Sequence, residues 1–149
     1  MRRRRSRVVA LLAVGVAGLL LGLTLRPAVA HGPSAAPPGY VIDVADADAS
    51  TWHTAVNAVT LVHATYPSAR MEIVAHGPGI QMLLASAAVA PDLEALVAGG
   101  GVELAACANA MRSYGITADQ LVARATVVPA GVVEVARREA QGYRYMNAS

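Results

Sequence analysis

From Tyr40 onward, short apolar runs alternate with stretches in which apolar residues recur every three or four positions. Tyr40-Val41-Ile42-Asp43-Val44 is rich in β-branched residues and reads as a strand. Trp52, Val56, Val59 and Val62 mark one face of a helix from Thr51 to about Thr65, with Ser50 as its expected N-cap. Met71 to Ala75 is the second strand, and His76-Gly77-Pro78-Gly79 turns the chain into a helix expected over Ile80 to Ala85. Pro91 at a first-turn position, followed by Asp92 and Glu94, opens a helix to about Ala98. Gly99-Gly100-Gly101 leads into the strand Val102 to Ala106, and a short helix follows as far as Tyr114, broken by Gly115. Thr117 to Leu121 reads as a brief capped turn and Thr126-Val127-Val128 as a short strand ended by Pro129. A last helix is expected from about Val132 to Gln141, with Gly142 just past its end, and Tyr143 to Met146 as a final strand. Strands alternating with helices, apolar throughout in the early strands, predict an α/β fold. The expected architecture is a three-layer α/β/α sandwich around a mostly parallel sheet of about five strands, flavodoxin-like or Rossmann-like.

The first thirty residues carry a different pattern. Arg2, Arg3, Arg4, Arg5 and Arg7 precede the uncharged apolar stretch Val8 to Leu25, and Ala28-Val29-Ala30 is a small-x-small cleavage signal. That order is the signature of an export signal peptide over residues 1–30. The competing reading is an uncleaved membrane anchor, for which eighteen apolar residues is the short limit. The Arg cluster suits either a general secretory or a twin-arginine route. Residues 31–39 contain three prolines without periodicity and read as a linker, so the domain is expected over residues 40–149.

This organisation changes the charge picture. The chain has 12 basic residues, all Arg, and 10 acids, and six of the Arg lie in the leader. The mature chain therefore carries a formal charge of −4, and the basic character of the whole belongs to the leader. No clustered basic footprint for nucleic acid remains. The acids of the domain read as solvated loop residues and helix starts.

Cys107 is the sole cysteine, so no internal disulfide can form. It falls between an apolar strand and the first turn of a helix, at the strand end where α/β sheets gather ligands and chemistry. The amino end of a helix favours a thiolate over a thiol. An odd cysteine in an exported chain indicates a reactive thiol or an intermolecular pairing, and the alternative is a small apolar packing residue. His76, Gly77, Pro78 and Gly79 are expected to line the same sheet edge, with His76 as proton donor or base, or alternatively to serve as a tight turn only. This loop is not a phosphate loop, because it lacks the third glycine and Pro78 has no amide hydrogen. Asn109 reads first as a helix cap and second as a hydrogen-bonding partner of the thiol. His53 and His63 share a helix but not a face, and neither has a ligand partner four residues on, so no metal site is assigned. His63 is expected at a core edge or a subunit contact. Cleavage after Ala30 would leave His31 as an amino-terminal copper donor, but it has no partner histidine.

Three ordered blocks carry a family likeness. They are Val74-Ala75-His76-Gly77-Pro78-Gly79, then Gly101-Val102-Glu103-Leu104-Ala105-Ala106-Cys107-Ala108-Asn109-Ala110-Met111, then Val127-Val128-Pro129-Ala130-Gly131-Val132 with Gln141-Gly142-Tyr143-Arg144-Tyr145. Over residues 40–146 the chain resembles the exported branch of the DsrE/DsrF-like sulfur-relay proteins. Ala110 stands where exported members usually carry Thr, which removes a hydroxyl near the thiol. The resemblance implies a compact α/β/α sandwich, assembly into trimers or hexamers, and a cysteine that carries sulfur as a persulfide. On that basis the expected function is an exported sulfur-relay protein. Cys107 would take sulfur from a donor and pass it to a partner thiol, without a cofactor. The alternative is a non-catalytic oligomeric binding module whose cysteine is structural.

Overall fold

The computed structural model describes residues 39–148. The signal-peptide reading, His31 and all of the linker except Gly39 lie outside the described residues. Among them run β1 (Gly39–Val44), α1 (Ala49–Thr65), β2 (Arg70–Ala75), α2 (Ala90–Gly99), β3 (Val102–Cys107), α3 (Ala108–Tyr114), β4 (Thr126–Val128), α4 (Gly131–Ala140) and β5 (Arg144–Asn147). The strands form one five-stranded sheet in the order β4-β3-β2-β1-β5, and every neighbouring pair is parallel. The expected α/β sandwich is the observed fold.

The order explains the layers. β1 to β4 march in one direction, and right-handed crossovers put their linking helices on one face. β5 returns to the other side of β1, so its crossover helix, α4, must lie on the opposite face. Side-chain period follows suit. Ile42, Val44, Ile73 and Leu104 join Val59 of α1, Leu93 of α2 and Met111 of α3 in the larger core. Val41, Val74 and Ala105, one residue out of phase, pack with Val135 of α4 and Tyr143. Among the described residues one ten-residue helix thus covers the second face.

Polar groups hold α4 in place. Arg138 donates to both oxygens of Glu72, through Nε at 2.7 Å and Nη2 at 2.9 Å. It also bonds Glu103 and, at 3.2 Å, Glu134. Glu134 is paired in addition with Arg137, and Glu103 with Arg70 at 2.7 Å. Tyr143 lies under the Arg138 guanidinium, 5.1 Å from its ring centre. Burial pushes the Glu72 carboxyl up against the pull of Arg138, and nearby Glu134 pushes it the same way. The hydrogen bond and charge of Glu72 hold Arg138 more firmly protonated than usual. The expectation that the acids are solvated fails here: Glu72 is only 2 % exposed and Glu134 is buried. Glu72 and Glu103 sit side by side on β2 and β3, facing α4. Alternation points such residues at whatever covers that face, and local sequence does not say what that is.

Several boundaries differ from expectation for physical reasons. The N-cap of α1 is Asp48, whose carboxylate accepts from Ser50 N at 2.8 Å, so Ser50 lies inside the first turn. The helix expected over Ile80 to Ala85 is a 3₁₀ segment, Gly77–Leu83. The chain then extends because Leu83 O accepts from Val122 N, and Ala85 N donates to Gln120 O. That pairing with a distant segment of the same chain removes the partners a continuing helix needs. Thr117 and Gln120 form the expected capped turn, a reciprocal capping box. No helix among the described residues is long and apolar enough to cross a membrane.

Candidate functional site

The carboxyl ends of β1, β2 and β3 bring three side chains of chemical interest to one sheet edge. Asp43 is the penultimate residue of β1, His76 follows β2, and Cys107 ends β3. A cavity of about 400 Å³ opens there, lined by His76, Gly77 and Cys107, by Asn109, Ser113 and Tyr114 of α3, and by Gly131 and Val132 of α4. Its lining contains no Asp, Glu, Lys or Arg; the polar side chains are the Cys107 thiol, the His76 imidazole, the Asn109 carboxamide and the Ser113 and Tyr114 hydroxyls. Cys107 is 5 % exposed and occupies the N-cap position of α3, making no capping hydrogen bond with its side chain. Strand and helix meet at this residue because the apolar run Leu104-Ala105-Ala106 is covered on both faces, whereas α3 can form only once the chain leaves the sheet.

His76 is held from two sides. Its Nε2 lies 2.7 Å from Asp43 Oδ1, and the Tyr145 hydroxyl donates to Asp43 Oδ2 at 3.1 Å. Burial, with the Asp43 charge added to it, pushes the Tyr145 phenol up, so its proton stays on the hydroxyl. On the other side a Cβ at Gly131 would lie 2.6 Å from the His76 Cβ, so only glycine lets the start of α4 approach the imidazole this closely.

Half of the loop after β2 lies at the cavity and half serves the turn. His76 and Gly77 line the cavity; Pro78 and Gly79 are not among its lining residues. Gly77 has φ +50°, and a Cβ at Gly79 would collide with the Val44 carbonyl, so the turn demands glycine at both positions. Asn109 is not the helix cap, since Cys107 holds that position; its side-chain oxygen accepts from Arg112 and its backbone oxygen from Ser113 Oγ at 3.1 Å. Asn109 lines the cavity with its carboxamide oxygen engaged by Arg112. His63 sits against Gly101, its Nδ1 buried without a hydrogen-bond partner. Among the described residues no group of three or more His, Cys, Asp or Glu is close enough to hold a metal ion.

Asp43 and Tyr145 were not singled out by sequence reasoning. Asp43 is an acid inside an otherwise apolar strand, and that breach of pattern is a signal a closer reading could use. Tyr145 carries no such mark, because its place beside β1 depends on the return of β5.

Fold and site together define a parallel α/β protein with one thiol at the carboxyl edge of its sheet. The DsrE/DsrF-like family model matches residues 40–148, and the chain belongs to that family. It is similar to a solved structure of a protein of unknown function, MTH1491, from Methanobacterium thermoautotrophicum. The two share 29 % identity and a TM-score of 0.69, over 72 % of this chain and 96 % of that one. No curated protein matches the chain.

Proposed function

We propose that this protein is an exported sulfur carrier that holds sulfur as a persulfide on Cys107. The observation that carries the reading is a sole thiol lining a neutral cavity beside an imidazole, in a chain of the DsrE/DsrF-like family. The Cys107 thiolate attacks the outer sulfur of a donor persulfide. A new S–S bond forms at Cys107, the donor's S–S bond breaks, and the donor leaves as a thiolate. An acceptor thiolate then attacks the outer sulfur on Cys107, and the Cys107 thiolate departs. The chain has no second thiol to receive the sulfur, so the acceptor is another molecule, which suits a carrier. Export is supported by the leader pattern of residues 1–30. Self-association, also part of this proposal, is supported by the exposure of Val127, Val132 and Val133.

The test uses protein from His31 onward. Exposure to polysulfide is expected to add the mass of one or more sulfurs, and Cys107→Ser is expected to abolish the gain with the far-UV spectrum and oligomer unchanged. Loading that persists in Cys107→Ser refutes the reading. The competing reading, a binding module with a structural cysteine, draws on the burial of Cys107. It requires a thiol that resists alkylation until the protein unfolds.

A further inference from the structure

We infer that Asp43, held by Tyr145, is a positioning residue that makes His76 the proton acceptor and donor for Cys107. The inference rests on the carrier reading of the site. Three observations converge on it. Asp43 takes the Nε2 corner of the ring, which leaves Nδ1 as the atom free to exchange a proton. His76 Nδ1 has no hydrogen-bond partner among the described residues, and it is not among their buried unpartnered atoms. Its residue lines the same cavity as Cys107. α4 begins close against the ring, since a Cβ at Gly131 would lie 2.6 Å from the His76 Cβ.

A carboxylate on one ring nitrogen fixes the tautomer and stabilises the imidazolium formed when the other nitrogen takes a proton. In the forward step the Cys107 S–H bond breaks and an N–H bond forms at His76 Nδ1. When the donor's S–S bond breaks, that proton passes to the departing thiolate. No oxidant or reductant is consumed.

The groups around His76 leave Asp43 as its charged partner. β1 contributes Asp43, β5 contributes Tyr145 through Asp43, and β3 contributes Cys107. α3 brings Tyr114 to the cavity, while its Arg112 is bonded to Asn109. α4 presents Gly131 and Val132, with its first-turn acid Glu134 committed to Arg137 and Arg138. Glu139, further along α4, acts on Tyr145.

The experiment follows iodoacetamide alkylation of Cys107 against pH in the wild type, Asp43→Asn, His76→Gln and the double variant. Alkylation needs no sulfur donor and so reads the proton relay alone. Asp43→Asn and His76→Gln are each expected to slow alkylation at neutral pH roughly tenfold or more and to move its pH midpoint upward. In the His76→Gln background Asp43→Asn is expected to add nothing further, because it acts through the ring. Tyr145→Phe, at a half-exposed position on the sheet edge, guards against misfolding of the Asp43 variant. It is expected to give a smaller slowing that also vanishes in the His76→Gln background. Equal slowing by Asp43→Asn with and without His76, or an unmoved pH profile in both single variants, overturns the inference. Polysulfide loading is measured in parallel. Wild type that alkylates through this cycle but gains no sulfur removes the carrier reading and leaves the relay standing. Normal loading with no cycle removes the relay and leaves the carrier.

Discussion

Arg138 is the residue whose loss should damage this fold most clearly. Its guanidinium supplies the two donors that satisfy Glu72, a carboxylate 2 % exposed on the central strand β2. Arg138→Met keeps the apolar stem against the sheet but leaves that carboxylate without its cation, beside Glu134. Stranding one half of a buried ion pair costs about 3–5 kcal/mol. A domain of this size has a total stability of roughly 5–15 kcal/mol. At about 4 °C per kcal/mol, the melting temperature should fall by roughly 12–20 °C. Glu103 and Glu134 keep Arg70 and Arg137, so the loss concentrates on Glu72. Two comparisons isolate the cause. Adding Glu72→Gln to Arg138→Met removes the stranded charge and should restore at least about 2 kcal/mol. The deficit should also depend on pH. Burial already raises Glu72, and without Arg138 it rises further. A carboxyl raised in the folded state favours folding below its unfolded value and loses that contribution as pH rises through its folded value. The deficit of Arg138→Met is therefore largest near neutrality and shrinks toward acid pH. Urea unfolding at several pH values measures all of this. A cost under about 1 kcal/mol, or no recovery on adding Glu72→Gln, would refute the reasoning.

Two further predictions concern glycines that set the site. Gly79→Ala pushes a methyl into the Val44 carbonyl, and backbone there cannot yield; a loss of about 3 kcal/mol or more is expected by urea unfolding, and unchanged stability would mean the turn relaxes freely. Gly131→Ala sets a Cβ 2.6 Å from that of His76, so about 1–3 kcal/mol should be lost and Cys107 alkylation slowed together, the second seen by mass spectrometry.

The alternation of apolar runs and helical spacings was enough to read the parallel α/β fold, because period and composition are local properties of the chain. Cys107 at a strand-to-helix junction was legible for the same reason, as was His76 after the second strand. Other features came from how distant segments meet. Nothing near Leu84 in sequence shows that it pairs with Leu121, and that pairing ends the 3₁₀ segment where a helix was expected. Acids inside apolar strands read as solvated when their covering helix is unknown. Glu72 and Arg138 are 66 residues apart and meet because α4 crosses the face opposite α1 to α3. The pairing of Asp43 with Tyr145, 102 residues apart, likewise depends on β5 returning beside β1. Sequence by itself determined the class of fold, the single thiol and the glycines of its turns, since each follows from local propensity or residue count. Tertiary structure alone decided which charges are buried, which carboxylate holds His76, and that His76 and Cys107 line one cavity. Those depend on strand order, which only long-range packing sets.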